Sequence, residues 1–419
     1  MTYIEFVDKT AAENVCACFA NPPERVILVG AEPKVLSAIC KRYGEIFRDR
    51  GIDIEFIPRK IPRYDISRII EEFSDIVNTY SDCVFDLTGG EDLYLVGIGV
   101  IRERFKDKNI QMHRFNIQNN TIKDCDSDGE TIIDGEMPEM TIRENIRIYG
   151  GDVVYGNDRE NATYEWDMNK YFKADIEALW DICRRNTTKW NKQMSTLDAA
   201  CECCLEDCDE ATVRARVSDV TEALSREHQK MSFDIAFFER LKKGGFVKEF
   251  SCDEETIYVR FKNEQIKKCL TKAGQVLEMK VFMEAATLRD ESGEYFFCDV
   301  MNGVQIDWDG EIHESEGSYD TQNEVDVVAM KGMVPVFISC KNGYVDVDEL
   351  YKLSSVADRF GRQYARKILV VSKLHTARGF EGYLRQRAKD MGIWIIDNVA
   401  YMKGKQLGEE LCLAWEKTR

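Results

Sequence analysis

Three side chains of complementary chemistry lie close together in the last third of the chain. NEVDVVAMKG (323–332) reads as a strand carrying Asp326, and MVPVFISCKNG (333–343) reads as the next strand, carrying Lys341 with Ser339 two positions before it. Successive side chains on a strand face opposite ways, so Ser339 and Lys341 share a face, and hairpin pairing can bring Asp326 beside them. A carboxylate that holds a metal, and a lysine that orients water or offsets developing charge, are what hydrolysis of a phosphodiester needs. An isolated aspartate and lysine would equally make a plain cross-strand ion pair.

The surrounding pattern is that of a soluble α/β protein with two or three domains. At 419 residues the chain exceeds what one core usually organises. ERVILVG (24–30), IDIEFIPRK (52–60), CVFDLTGG (83–90) and IQMHRFNIQNNTI (110–122) read as strands alternating with amphipathic helices, which predicts a mostly parallel, Rossmann-type sheet in residues 1–150. Residues 151–270 read as a helical connector. Within it, FFERLKKGGFV and TIYVRFKN suggest a small winged-helix-like module, either a DNA reader or a spacer. Residues 271–419 return to α/β, opening with the helix GQVLEMKVFMEAAT (274–287).

The C-terminal segment resembles the PD-(D/E)xK nuclease superfamily, in particular restriction-endonuclease-like domains with an N-E-x-D strand followed by a C-K-x-G strand. Glu324, Asp326, Lys341, Asn342 and Gly343 carry the resemblance over residues 273–400. It implies a catalytic set of Glu278, Asp326, Ser339 and Lys341, with Glu278 supplied by the preceding helix. Ser339 departs from the pattern, standing where an Asp or Glu is usual. Metal binding then rests on Asp326, Glu278 and a backbone carbonyl, that of Cys340, or the site is weakened. Hard oxygen ligands imply Mn²⁺ or Mg²⁺.

Two N-terminal loops follow strands and carry small residues: VGAEP, with Gly30, Ala31 and Glu32, and DLTGGEDL, with Thr88, Gly89 and Gly90. Glycines there allow close approach of backbone to a ligand, at the sheet edge where doubly wound folds bind one. The absence of G-x-G-x-x-G argues against a dinucleotide. A Rossmann-like domain with D-x-T-G-G ahead of a nuclease domain resembles the CARF-domain nucleases, ancillary effectors of type III CRISPR defence. The resemblance implies a homodimer activated by a cyclic oligoadenylate, the tetra-adenylate above others, with the six loop residues lining its site. No histidine has an arginine at the R-x(4–6)-H spacing of HEPN ribonucleases, which favours the metal-dependent class.

Composition sets bounds. The net charge of −18 opposes general coating of nucleic acid, so any contact must be local. Basic residues from Arg359 to Lys389 (Arg362, Arg366, Lys367, Lys373, Arg378, Arg385 and Arg387 among them), interleaved with Phe360, Tyr364, Phe380 and Tyr383, offer a candidate groove for single-stranded DNA or RNA. No secretory leader or membrane span is visible, which predicts a cytoplasmic protein, and fifteen scattered cysteines suit reduced thiols. Cys201, Cys203, Cys204 and Cys208 lack the paired spacing of structural zinc. The reading is a cyclic oligoadenylate-activated, metal-dependent endonuclease. Its alternative is a ligand-responsive winged-helix transcription regulator with an inactive nuclease-like domain.

Overall fold

The computed structural model describes residues 1–126, 138–155, 162–205, 208–311, 322–377 and 379–418. His313 and Arg378 lie outside the described residues.

The N-terminal sheet contains β1 (Thr2–Phe6), β2 (Arg25–Gly30), β3 (Glu55–Lys60), β4 (Cys83–Asp86), β5 (Ile110–Asn116) and β6 (Thr121–Asp124), in the order β3-β2-β1-β4-β5-β6. The first five are parallel, and β6 turns back against β5. Helices Pro33–Asp49, Ile66–Thr79 and Asp92–Arg104 connect them. The first of these buries Leu36, Cys40, Tyr43, Ile46 and Phe47, one stripe at three- and four-residue spacing. Strand order reverses between β1 and β4, so connections diverge there and leave a crevice at the carboxyl ends of the strands.

Two elements depart from the pattern expected of the sequence. The N-terminal TYIEF, which carries a threonine and a glutamate, is the central strand β1, with Thr2 and Glu5 fully inside. The second departure is IQMHRFNIQNNTI, expected as one strand. It is the β5–β6 hairpin, turned at Asn120 with φ 52°, a conformation asparagine tolerates better than most residues.

After the helix Ile142–Ile148, β7 (Asp152–Val153) joins the C-terminal sheet rather than the middle region. The middle holds helices Lys170–Cys183, Thr187–Glu202, Val217–Arg226 and Ile235–Lys243 and an antiparallel sheet of β8 (Thr212–Arg216), β9 (Val247–Cys252) and β10 (Thr256–Phe261), ordered β8-β10-β9. This is the winged-helix-like arrangement, with β8 drawn from a stretch whose composition favours helix.

The C-terminal sheet adds β11 (Asp299–Asp307), β12 (Gln322–Lys331), β13 (Val334–Lys341), β14 (Arg366–Val371) and β15 (Ile393–Ile396), in the order β15-β14-β13-β12-β11-β7. β11, β12 and β13 are antiparallel neighbours, while β13, β14 and β15 run parallel. The helix Gln275–Thr287 buries Val276, Leu277, Met279, Val281, Met283 and Ala285, apolar on nearly every side, and is therefore internal. Glu278 is buried with them. A carboxylate in such a helix is costly unless other groups compensate it. Among the described residues no helix is long and apolar enough to cross a membrane.

Candidate functional site

β12 and β13 pair from Lys331↔Val334 to Val327↔Ile338, and the next pair in that register is Asp326 with Ser339. There the regular ladder gives way to side chains. The Ser339 hydroxyl donates to Asp326 Oδ2 at 3.2 Å, and the Cys340 N–H donates to the same oxygen at 2.6 Å. An extended residue sends its N–H and C=O to the same edge, so the Cys340 carbonyl is turned to Asp326's side. The backbone of Asp326 is pinned as well: Asn302 on β11 donates to its carbonyl at 2.9 Å, and Gln275 donates to Asn302 at 3.2 Å. Lys341 closes β13 with its ammonium 2.7 Å from Glu349 of the helix Asp348–Phe360.

Carboxylate oxygens of Glu278, Glu324 and Asp326 lie within 4.8 Å of one another, the one such grouping of potential metal ligands among the described residues. The cysteines at 201–208 form none there. Burial, then the neighbouring Asp326, raises the Glu278 carboxyl well above its ordinary range. Burial raises Asp326 too, against the pull of Lys341. Burial works against the charge of Lys341, but Asp326 and Glu349 outweigh it and raise the ammonium. The Lys272 ammonium pairs with Glu324 and lies 3.7 Å from Glu278.

The Asn342–Gly343 turn is clamped by the connector. Asn342 donates to Asn191 of the helix Thr187–Glu202 at 2.9 Å, and Asn191 donates back to the Asn342 carbonyl. Gly343 has φ 145°, and a Cβ there would meet the Asn191 amide at 3.0 Å, so both backbone and neighbour call for glycine. Above the carboxylates opens a cleft of about 450 Å³ lined by Asn191, Lys272, Glu278, Glu324, Asp326 and Lys341.

The fold thus brings together Glu278, Asp326, Ser339, Cys340 and Lys341. It adds Glu324, Lys272, Glu349 and Asn191, which the sequence did not single out as site residues. Glu324 was signalled by its place two before Asp326 on the same strand face. The other three come from segments whose approach no local pattern announces.

The basic stretch is dispersed. Arg366 is buried and donates to the Thr418 carbonyl at 2.7 Å, Phe360 is buried, Arg359 caps the carbonyls of Tyr149 and Trp308, and Arg385 pairs with Glu381 and Asp397. These side chains hold the fold. Phe380 and Tyr383 remain exposed as a tilted ring pair at 4.8 Å.

At the N-terminal edge, Gly30 ends β2 with Ala31 and Glu32 after it, and Thr88, Gly89 and Gly90 follow β4, on either side of the loop after the central β1. The Thr88 N–H donates to Asp86 at 2.8 Å, and its hydroxyl accepts from the Phe115 N–H at 2.8 Å. Gly90 has φ 114° and lies against the Phe6 ring, where a Cβ would approach to 3.1 Å. The loop after β1 contributes Asp8, which accepts from the Gly90 N–H at 3.4 Å.

A Rossmann-like sheet, a connector with a small antiparallel sheet, and a second six-stranded sheet that carries Glu324 and Asp326 follow one another along the chain. Residues 266–408 match the family model of the Card1-like endonuclease domain. Among solved structures, protein VC1899 from Vibrio cholerae is similar at 17% identity and a TM-score of 0.71, over 100% of this chain and 98% of that one. Can2 from Sulfobacillus thermosulfidooxidans, solved in complex with cyclic tetra-adenylate, is similar at 16% identity and a TM-score of 0.67, over 99% of each chain. At these identities the likeness is one of fold. No curated protein matches the sequence.

Proposed function

We propose that this chain is a metal-dependent endonuclease that cleaves single-stranded DNA or RNA when its N-terminal domain binds a cyclic oligoadenylate, in type III CRISPR antiviral defence. The observation that carries the reading is the grouping of Glu278, Glu324 and Asp326 beside Lys341 in one cleft. These residues fit a hard divalent cation. The donors are all carboxylate oxygens, and among the described residues buried Glu278 Oε2 accepts no hydrogen bond, the Lys272 ammonium lying 3.7 Å away. Mn²⁺ or Mg²⁺ held there supplies charge neutralisation of the phosphodiester and acidifies water. Asp326 is oriented by Ser339 and Cys340, so its second oxygen is left for the ion. Glu324, nearly opposite Lys341 in the extended register, supplies the carboxylate that Ser339 lacks. Lys341, held charged, offsets negative charge that grows as the bond breaks.

The sensor half of the proposal rests on the crevice between β1 and β4, with Gly30, Ala31, Glu32, Thr88, Gly89 and Gly90 at its rim and cyclic tetra-adenylate as the ligand. Can2, of like fold, carries that molecule. A two-fold dimer would present two such crevices to one two-fold symmetric ring. Domain limits of 1–150, 151–270 and 271–419 belong to the same reading, with β7 crossing from the connector to the nuclease sheet. Activation requires that the ligand bind the active arrangement more tightly.

The test is cleavage of labelled single strands with Mn²⁺, with and without cyclic tetra-adenylate, for the wild type and Lys341→Ala. Activator-dependent cleavage lost in the variant is expected. Inactivity of the wild type under both conditions, with ligand-responsive binding of duplex DNA, would establish the regulator instead.

A further inference from the structure

Lys272 lies in the TKAG segment (271–274) just before the helix that carries Glu278. Its backbone neighbourhood is fixed: the Ala273 carbonyl accepts from the Trp190 indole at 3.3 Å and from Asn342 at 3.5 Å. The side chain is partly open to solvent. It is 44% exposed, and its ammonium reaches over the cleft to Glu324 and to the buried Glu278. The ammonium therefore supplies positive charge to the same carboxylates that would hold a metal ion. Gly274 leaves room for the Glu278 carboxylate, whose Oε1 would lie 2.8 Å from a Cβ at that position. Lys341 is differently placed, since its ammonium is already engaged by Glu349 at 2.7 Å.

Building on the nuclease reading, we propose that Lys272 is a further catalytic residue, which neutralises Glu278 and Glu324 in the metal-free protein and contacts the scissile phosphodiester once a divalent cation replaces it. A flexible four-carbon stem lets the ammonium move several ångströms without moving the backbone. The cation and the ammonium compete for the same two carboxylates. The freed ammonium then faces the cleft that Lys341 also lines.

The test begins without nucleic acid. Mn²⁺ is titrated calorimetrically into the full chain, its Lys272→Met variant and its Lys272→Arg variant, with thermal unfolding as a check on folding. Lys272→Met is expected to bind Mn²⁺ roughly tenfold more tightly, the effect of one removed competing charge, while Lys272→Arg stays near the wild type. Cleavage by Lys272→Met at saturating Mn²⁺ is expected to fall roughly a hundredfold, the scale of one lost charge contact in a transition state. Unchanged or weaker Mn²⁺ binding in Lys272→Met overturns the competition, and undiminished cleavage by that variant overturns the contact with substrate. If the wild type itself cleaves nothing, the nuclease reading fails with the substrate contact. The Mn²⁺ titration then still decides the counter-ion role.

Discussion

The Tyr364 hydroxyl donates a 2.6 Å hydrogen bond to Oε1 of Glu13, and the Gln363 amide donates to the same oxygen at 3.0 Å. Glu13 belongs to the single 3-10 turn Ala11–Asn14 after the central strand β1, and its side chain packs on Gly89, where a Cβ would lie 3.4 Å from Glu13 Cβ. One carboxylate thus touches the proposed activator loop and the turn that follows the helix bearing Glu349. Beside it is a cavity of about 740 Å³ lined by residues of both halves, among them Thr88, Arg114 and Tyr364. Tyr364→Phe removes the shorter bond and little else. The ratio of cleavage rates with and without cyclic tetra-adenylate is expected to fall several-fold, with the activator still bound. An unaltered ratio would assign the contact to the fold alone.

Within the cleft, the carboxylate on β12 and the hydroxyl on β13 have different duties. Glu324→Gln is expected to lower cleavage at least ~100-fold and to weaken Mn²⁺ binding, because it removes a proposed ligand. Ser339→Ala removes one hydrogen bond to an oxygen that keeps the Cys340 N–H, and is expected to cost less than ~10-fold, in line with the ~1 kcal/mol of a single bond. Steady-state rates for the two variants check the ranking. Equal losses would place the missing acid elsewhere.

Metal removal follows from the same charges. Mn²⁺ added to the chelator-treated protein is expected to raise its unfolding temperature, since an ion bound to the native state alone stabilises it by mass action. Glu278→Gln should blunt that response. A thermal shift series against Mn²⁺ concentration measures both.

In the N-terminal sheet, burial raises the Asp86 carboxyl to about 6, while burial and then Asp86 raise Glu5 well above its usual range. Both folded values exceed the unfolded ones, so the native state holds more protons above about pH 4, and stability is lost as pH rises from there through 6 and beyond. Glu5→Gln keeps the shape and mimics the protonated form. Its unfolding temperature should exceed the wild type's by about 2–4 °C or more at pH 7.5, with the gain vanishing near pH 4. Parallel pH profiles would refute this assignment.

Gly90→Ala tests the activator loop. With φ at 114° and the Phe6 ring 3.1 Å from the new Cβ, the substitution should cost roughly 1–3 kcal/mol and weaken binding of cyclic tetra-adenylate. Urea unfolding and equilibrium binding read the two effects.

Alternation along two strands and a short turn between them were enough to bring Asp326, Ser339 and Lys341 to one face, because such pairing is local and a one-residue slip would bury the wrong side chains. The same periodicities disclosed β2, β3, β4 and their helices. They hid β1, since Glu5 breaks the apolar pattern, and the Cys18 thiol that donates to its buried carboxyl comes from a different element. Charge counting misled in the stretch from Arg359 to Lys389, where Arg366 turned inward to a C-terminal carbonyl.

Sequence by itself determined that Asp326, Ser339 and Lys341 share one face of two neighbouring strands. Only the tertiary structure decided that Glu278, Glu324 and Lys272 converge on Asp326, that Asn191 clamps the Asn342–Gly343 turn, and that Glu13 meets Tyr364. The physical reason is range. Backbone periodicity acts over a few residues, whereas the convergence of these groups is set by how whole helices and sheets pack to bury their apolar faces.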